Sequence, residues 1–421
     1  MAEAAGKKEI NWKQNLLFTW IAQLLCLAGF GSALPFIPVF MRVELGIEDP
    51  ALRGVYVSIF YFASMTSFCI CTPLWGMLSD RYGRKIMLLR ANFGGALLMP
   101  LMGLSPNIAI LIILRFLTSC FSGTVTAAQT LIVSTTPKEK HGFALGLLSS
   151  AVWSGNVLGY LTGGMIVHYF GYTAAFLFCG LMFLAGGFLI LFFVHEDFVP
   201  PVKNIPLPAE KKEKKHFKLP HFGFSAAAWM TLTLFLMMAF SRRFDEAYLA
   251  LQVENIAGKI NTELYTSYVS AAAAAGGVIA GSLIGYLADR FSPIKVALPC
   301  LLLSILFVLG QGFAPNLMVL GVSRFLAFIT VGGLEPVFLN MLSNVSPEEK
   351  RGQIFGMASS FRSIGMMIAS PLGGAIMYYL EIRSIYITAA AGFLLTIPVF
   401  LLTSKLCRKA HNEMIQKTSA I

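Results

Sequence analysis

Gly76-Met-Leu-Ser-Asp80-Arg81-Tyr-Gly83-Arg84-Lys85 returns 209 residues later, degraded, as Gly285-Tyr-Leu-Ala-Asp289-Arg290-Phe-Ser292. Arg115-Phe-Leu returns as Arg324-Phe-Leu at the same offset. Thr136-Pro-Lys-Glu-Lys-His-Gly matches Ser346-Pro-Glu-Glu-Lys-Arg-Gly at an offset of 210, and Gly163-Gly164 matches Gly373-Gly374 at 210. Four registers that agree within one residue mark an internal duplication, so the chain is read as two halves built on one plan.

What surrounds these repeats is apolar. Of the 421 residues, 56% are hydrophobic and 13% charged, with mean hydropathy +0.71; an average soluble domain carries about 25% charge. A soluble fold this apolar would expose large patches that water penalises, so a membrane is the expected solvent. A membrane helix needs about 20 apolar residues, and twelve such spans are predicted: 15–40, 54–77, 87–104, 108–134, 143–168, 172–194, 225–251, 266–288, 296–313, 316–343, 353–380 and 384–404. They lack the two-residue alternation of a membrane barrel, and a bilayer cannot satisfy bare backbone, so they should be helical. Six spans per half give both repeats one topology, which places a site between them near the midplane. The expected fold is an all-α membrane protein of 12 transmembrane helices in two six-helix pseudo-symmetric bundles, residues 1–194 and 223–404. The Pro- and Lys-rich stretch 195–222 reads as a solvated cytoplasmic linker, and 405–421 as a cytoplasmic tail.

The net charge of +11 suggests nucleic acid until its placement is examined. With the N-terminus inside, 23 of the 32 Lys and Arg fall in cytoplasmic segments. Four fall outside (Arg42, Arg53, Lys259, Arg383) and five in the membrane (Arg115, Arg242, Arg243, Arg324, Arg362). That asymmetry is the positive-inside rule: both termini are expected in the cytoplasm, the charge meets anionic lipid, and no nucleic-acid partner is expected. Lys7, Lys8 and Lys13 precede an apolar run too long for a secretory signal, so it reads as the first span. Six of the seven cysteines lie within spans and read as small apolar residues rather than disulfides.

The loop at 76–85 resembles the signature loop of the major facilitator superfamily, G-x-L-x-D-R-x-G-R-K. Its degraded copy sits between spans 8 and 9, as that family's does, and the likeness extends over the whole chain. The resemblance implies a secondary transporter working by alternating access. It further implies a latch of the two halves in the outward-open state, made by Gly76, Asp80, Arg81, Gly83, Arg84 and Lys85 with Asp289 and Arg290 of the second copy. Read by itself, Gly76 would let two helices approach closely. Asp80 would sit near the positive start of span 3, where a carboxylate is favoured. In span 5, Gly155-Asn-Val-Leu-Gly159-Tyr-Leu-Thr-Gly163-Gly164 resembles the G-x-x-x-G-P-x-x-G-G motif of drug antiporters in this superfamily, with Tyr160 where the family has proline. Glycines four apart equally fit a small-residue helix interface. Arg115 is similar to the family's span-4 arginine, associated with proton-coupled members.

A charge at mid-membrane costs at least ~2.5 kcal/mol and is a functional candidate by default. Asp245, Glu246 and Glu335 are the acids well inside spans. Glu335, with a carboxyl in low dielectric, is expected to bind and release a proton near neutral pH, unless Arg362 or Arg324 holds it in an ion pair. Asp245 and Glu246, facing Arg242 and Arg243, read rather as salt bridges or an outer gate. Phe30, Phe36, Phe40, Tyr56, Phe60, Tyr61 and Phe62 either line an apolar cavity or pack against helices and lipid. No Gly-x-x-x-x-Gly-Lys-[Ser/Thr] occurs, so ATP is not the expected energy source. The six histidines are scattered, and neither a cofactor, a metal nor an enzyme activity is expected. The expectation is a monomeric, proton-coupled exporter of small amphipathic compounds in the inner or plasma membrane. An uptake or exchange carrier for an organic anion or metabolite is the alternative, and a non-transporting sensor or scaffold the third reading.

Overall fold

The computed structural model describes residues 11–198, 225–345 and 351–418. Most of the stretch read as a linker lies outside the described residues, as do the side chains of Asp80, Asp245 and Asp289.

The first bundle opens with α1 (Trp12–Ala33) and α2 (Ile37–Val43), joined by a 3-10 turn at Leu34–Phe36. It continues with α3 (Pro50–Tyr82), α4 (Arg84–Gly103), α5 (Ile108–Cys120) with α6 (Thr124–Thr135), α7 (His141–Phe170) and α8 (Tyr172–Phe193). The second bundle repeats the order with α9 (Ala226–Ala247) and α10 (Leu249–Ala257), α11 (Thr262–Arg290) and α12 (Pro293–Gly312). It ends with α13 (Leu317–Gly332) and α14 (Leu334–Asn344), α15 (Arg351–Tyr379) and α16 (Arg383–Thr418). These helices make twelve passes, six per bundle. Among the described residues, nine passes are long and apolar enough to cross a membrane by composition alone. The remaining three, α9–α10, α11 and α15, carry charged residues such as Arg242, Glu263 and Arg362.

Four of the expected continuous spans are broken, and they are equivalent positions of the two halves: spans 1, 4, 7 and 10. In span 1 the 3-10 turn contains Pro35, and Pro38 begins α2; neither has the amide N–H an unbroken ladder needs. Span 4 breaks at Gly123, whose φ of +109° is open to glycine at no steric cost. Span 7 breaks at Tyr248 and span 10 at Gly333. Some unbroken helices run past the expected limits at both ends, as α3 does from Pro50 to Tyr82.

The glycine face of α7 settles into α1. A Cβ on Gly155 would come 2.6 Å from the Leu24 carbonyl, and Gly159 and Gly163 would collide with the backbones of Ala28 and Ser32. Gly164, one residue on, faces the other bundle against Ser267 of α11. The repeat does the same thing: Gly373 packs on Tyr248 within its bundle, and Gly374 meets Ser58 of α3 across the divide. Each Gly-Gly pair therefore serves one internal and one inter-bundle contact. Gly76 does not fit the expected role, because a Cβ there would meet nothing within 4 Å.

After twelve passes the start of α1 and the end of α16 lie on one side of the molecule, the terminus side; the 44–49, 258–261 and 380–382 segments lie on the far side. The bundles meet through α3 on α15 and α7 on α11, and ion pairs at the far-side ends of the helices and in the segments joining them carry the seal. Arg53 donates to Glu254 at 2.9 Å, Arg42 lies 3.5 Å from the same carboxylate, Lys259 donates to Glu48 at 2.7 Å, and His168 pairs with Glu263 at 3.0 Å. Every ion pair between bundles among the described residues lies on that side. On the terminus side, by contrast, Met77, Tyr82, Phe143, Tyr286 and Phe291 are exposed.

A central arginine-lined cavity

A cavity of about 550 Å³ lies between the bundles and takes its walls from both. The broken spans contribute Phe30 and Gly31 of α1, Arg115, Thr118 and Ser119 of α5, Arg242, Arg243 and Glu246 of α9, and Arg324 and Phe328 of α13. Tyr61, Ser64 and Met65 of α3, Trp153, Asn156 and Tyr160 of α7, Ser270 of α11 and Met366 of α15 complete it.

Among the described side chains, charge in the cavity is unbalanced. Arg115, Arg242, Arg243 and Arg324 line it, against one described carboxylate, Glu246. That carboxylate is shared: Arg242 approaches at 3.3 Å and Arg243 at 3.5 Å, one and nearly one helical turn before it. Arg324 donates to the Gln311 side chain at 3.1 Å. Each of the four guanidiniums also stands over an aromatic face. The Arg243 guanidinium stands 3.9 Å over the Tyr61 ring, Arg115 5.0 Å over Phe60, and Arg242 and Arg324 each 5.1 Å over Phe328; such contacts attract a cation to the ring's negative face.

The sequence candidates divide. Arg115, Glu246 and Arg324 converge on the cavity, whereas Glu335 and Arg362 do not line it. Glu335, in the first turn of α14, is held in an ion pair by Arg362 of α15, about a third of each side chain remaining exposed. Asp245 lies beyond the described side chains. Of the aromatic set, Phe30 and Tyr61 reach the cavity, while Phe36, Phe40 and Phe60 are buried in the core and Phe62 is exposed. Tyr160, noticed in the sequence only as a departure from proline, is a wall residue, as is Trp153, which carried no sequence signal.

The loop at 76–85 holds a further surprise. The carboxylate at the start of α4 is Glu196, from just beyond α8: it accepts from the Arg84 N–H at 3.0 Å and the Lys85 N–H at 2.7 Å. Asn15 locks the same segment, exchanging hydrogen bonds with both the N–H and the carbonyl of His195. Gly83, at φ +97°, leaves room for this, since a Cβ would lie 3.0 Å from the Glu196 carboxylate. Lys85 Nζ donates to the Leu191 carbonyl at 2.9 Å, and Arg81 and Arg290 lie over the rings of Tyr82 and Tyr286. The positive helix end thus has its anion, supplied from the opposite end of the bundle's sequence.

Two six-helix bundles around a shared, largely apolar cavity set with four arginines define a membrane carrier architecture rather than a pore or a soluble binding protein. The chain belongs to the Major Facilitator Superfamily, which it matches over residues 19–253 and 235–419. It is 31% identical over 385 residues to the multidrug resistance protein MdtG of Salmonella dublin, covering 90% of this chain and 93% of that one. It is 29% identical over 379 residues to a multi-drug resistance efflux pump PmrA homolog of Lactococcus lactis, covering 90% and 91%. In fold it resembles a bacterial homolog of the human lysosomal transporter Spinster in an inward-facing, unoccupied conformation. The TM-score there is 0.72 at 15% identity, over 96% of this chain and 99% of that one. A mutant of the nucleoside transporter NupG gives a TM-score of 0.74 at 12% identity, over 92% and 99%.

Proposed function

We propose that the protein is a secondary active exporter of small amphipathic compounds, driven by protons and resident in the inner or plasma membrane with both termini in the cytoplasm. The carrying observation is the cavity itself: it is walled by both bundles and sealed by ion pairs on the far side. The excess of Lys and Arg on the terminus side supports placing that side in the cytoplasm, and in this reading the structure is the cytoplasm-facing state. Rocking the bundles would part the Arg53–Glu254 and Lys259–Glu48 pairs and bring the 76–85 and 285–292 loops together on the inner side. The relatives named for multidrug resistance and efflux support export of drug-like compounds.

Of the acids weighed in the sequence, Glu246 takes the proton-trading role in this reading, because it faces the cavity that each side of the membrane reaches in turn. Glu335, bound to Arg362 away from the cavity, ties α14 to α15. The test is flux of a fluorescent amphipathic compound in proteoliposomes under an imposed pH gradient. Flux should follow the gradient, fall to background in Glu246→Gln and survive in Glu335→Gln; gradient-independent flux in the wild type would remove proton coupling. A second reading, uptake or exchange of an organic anion, is favoured by the arginine excess in the cavity, and the direction of flux in oriented vesicles separates the two.

A further inference from the structure

We propose that the cavity holds its substrate by an acidic head group, a carboxylate, phosphonate or sulfonate, seated between Arg115 and Arg243. The proposal rests on the transport reading for the ligand being cargo, and on neither direction nor coupling ion.

Arg115 and Arg243 are each 7% exposed, and both line the cavity. Arg115 has no ion-pair or hydrogen-bond partner among the described residues, and its buried Nε is unsatisfied. Arg243 spends one nitrogen on Glu246 at 3.5 Å, while its Nε and Nη2 are buried without a partner. The two stand over adjacent rings, Phe60 and Tyr61, and so share one wall. A buried guanidinium without an anion is costly, and a ring face offsets only part of that cost. A small oxyanion accepts from both forks at once, which supplies what each arginine lacks. A cation entering the same space meets four guanidiniums, and the one described carboxylate there is already divided between two of them. Beside the arginines, Met65, Trp153, Phe328 and Met366 offer an apolar bed for the rest of the molecule.

The experiment is calorimetric titration of the purified full chain, in neutral detergent, with four compounds of one shape: 2-naphthoate, 2-naphthalenesulfonate, methyl 2-naphthoate and 2-naphthylmethylammonium. The two acids should bind at least about tenfold more tightly than the ester, which loses the charge-assisted bonds, and the ammonium compound should bind more weakly still. Arg115→Gln and Arg243→Gln should each cost the acids about tenfold while moving the ester by less than about twofold. Ammonium binding as tight as naphthoate, or unaltered naphthoate affinity in both variants, overturns the proposal. So does a site that takes dihexanoyl phosphatidylglycerol and refuses naphthoate, since it would then serve lipid. The ligand series is read on the wild-type protein, so it discriminates acid from ester and cation even where a variant misfolds. Calorimetry needs no movement of ligand: failed gradient-driven flux with intact acid binding sinks the exporter reading alone.

Discussion

Single side chains carry the far-side seal. Arg53 is 1% exposed, and Glu254 serves both it and Arg42. Removing the acid leaves two cations short of their counter-charge, and breaking a buried pair costs about 3–5 kcal/mol. Glu254→Gln should therefore lower the melting temperature in detergent and raise labelling of a cavity cysteine from the far side. The Lys259–Glu48 pair is exposed and contributes differently. Hydrogen bonding from Lys259 holds the Glu48 carboxyl below its ordinary range. The pair is thus intact above that ordinary range and is lost as pH falls through the lowered value. In Lys259→Ala, Glu48 should titrate back up at the usual carboxylate value, as read by carboxyl 13C NMR. At this scale the sequence was informative where chemistry is expensive. Arg115, Glu246 and Arg324 announce themselves because charge in hydrocarbon needs a reason. Glu335 announced itself equally loudly; the sequence offered Arg362 or Arg324 as an ion-pair partner and left open whether either holds it, and the structure pairs it with Arg362.

Elements show a different limit. Hydropathy found all twelve passes but none of the four interruptions. Proline is no guide by itself: Pro73, Pro100, Pro299, Pro371 and Pro398 all sit inside unbroken helices. In a bundle, neighbours re-satisfy a freed carbonyl, so whether a proline breaks its helix depends on packing that a one-dimensional reading lacks. The α7 glycine face was legible because its period matches the helix. With the Ala28 backbone against Gly159, Gly159→Leu forces α1 and α7 apart; overpacking of this kind costs about 1–3 kcal/mol, measurable as a lowered melting temperature. The Glu196 cap was illegible, since its partners are more than a hundred residues away. Glu196→Gln keeps an acceptor and loses the charge that suits a helix start, worth about 0.3–1 kcal/mol, so hydrogen exchange at the first amides of α4 should quicken.

For the molecule as a whole, the duplication at offsets of 209 and 210 gave away the two bundles, while the side on which they touch stayed hidden. One sequence must encode both arrangements of a carrier, and pattern alone cannot rank them. In the arrangement seen here, paired surfaces such as Gly374 on Ser58 and Gly164 on Ser267 require small residues. A wedge there should reverse the balance. In a cysteine-free background bearing Ser119→Cys, Gly374→Leu should shift maleimide labelling from terminus-side to far-side reagent, and the unwedged protein should show the opposite preference.

Trp153 makes that balance visible without any chemistry. It is one of five tryptophans, and its indole fills the space beside Gly277 of the opposite bundle, 5.9 Å from the Arg242 guanidinium. Its ultraviolet emission therefore depends on how far apart the two bundles stand and on what occupies the space between them. The native chain contains its own optical gauge, and a stopped-flow fluorimeter should be able to time each stroke of the cycle in unlabelled protein.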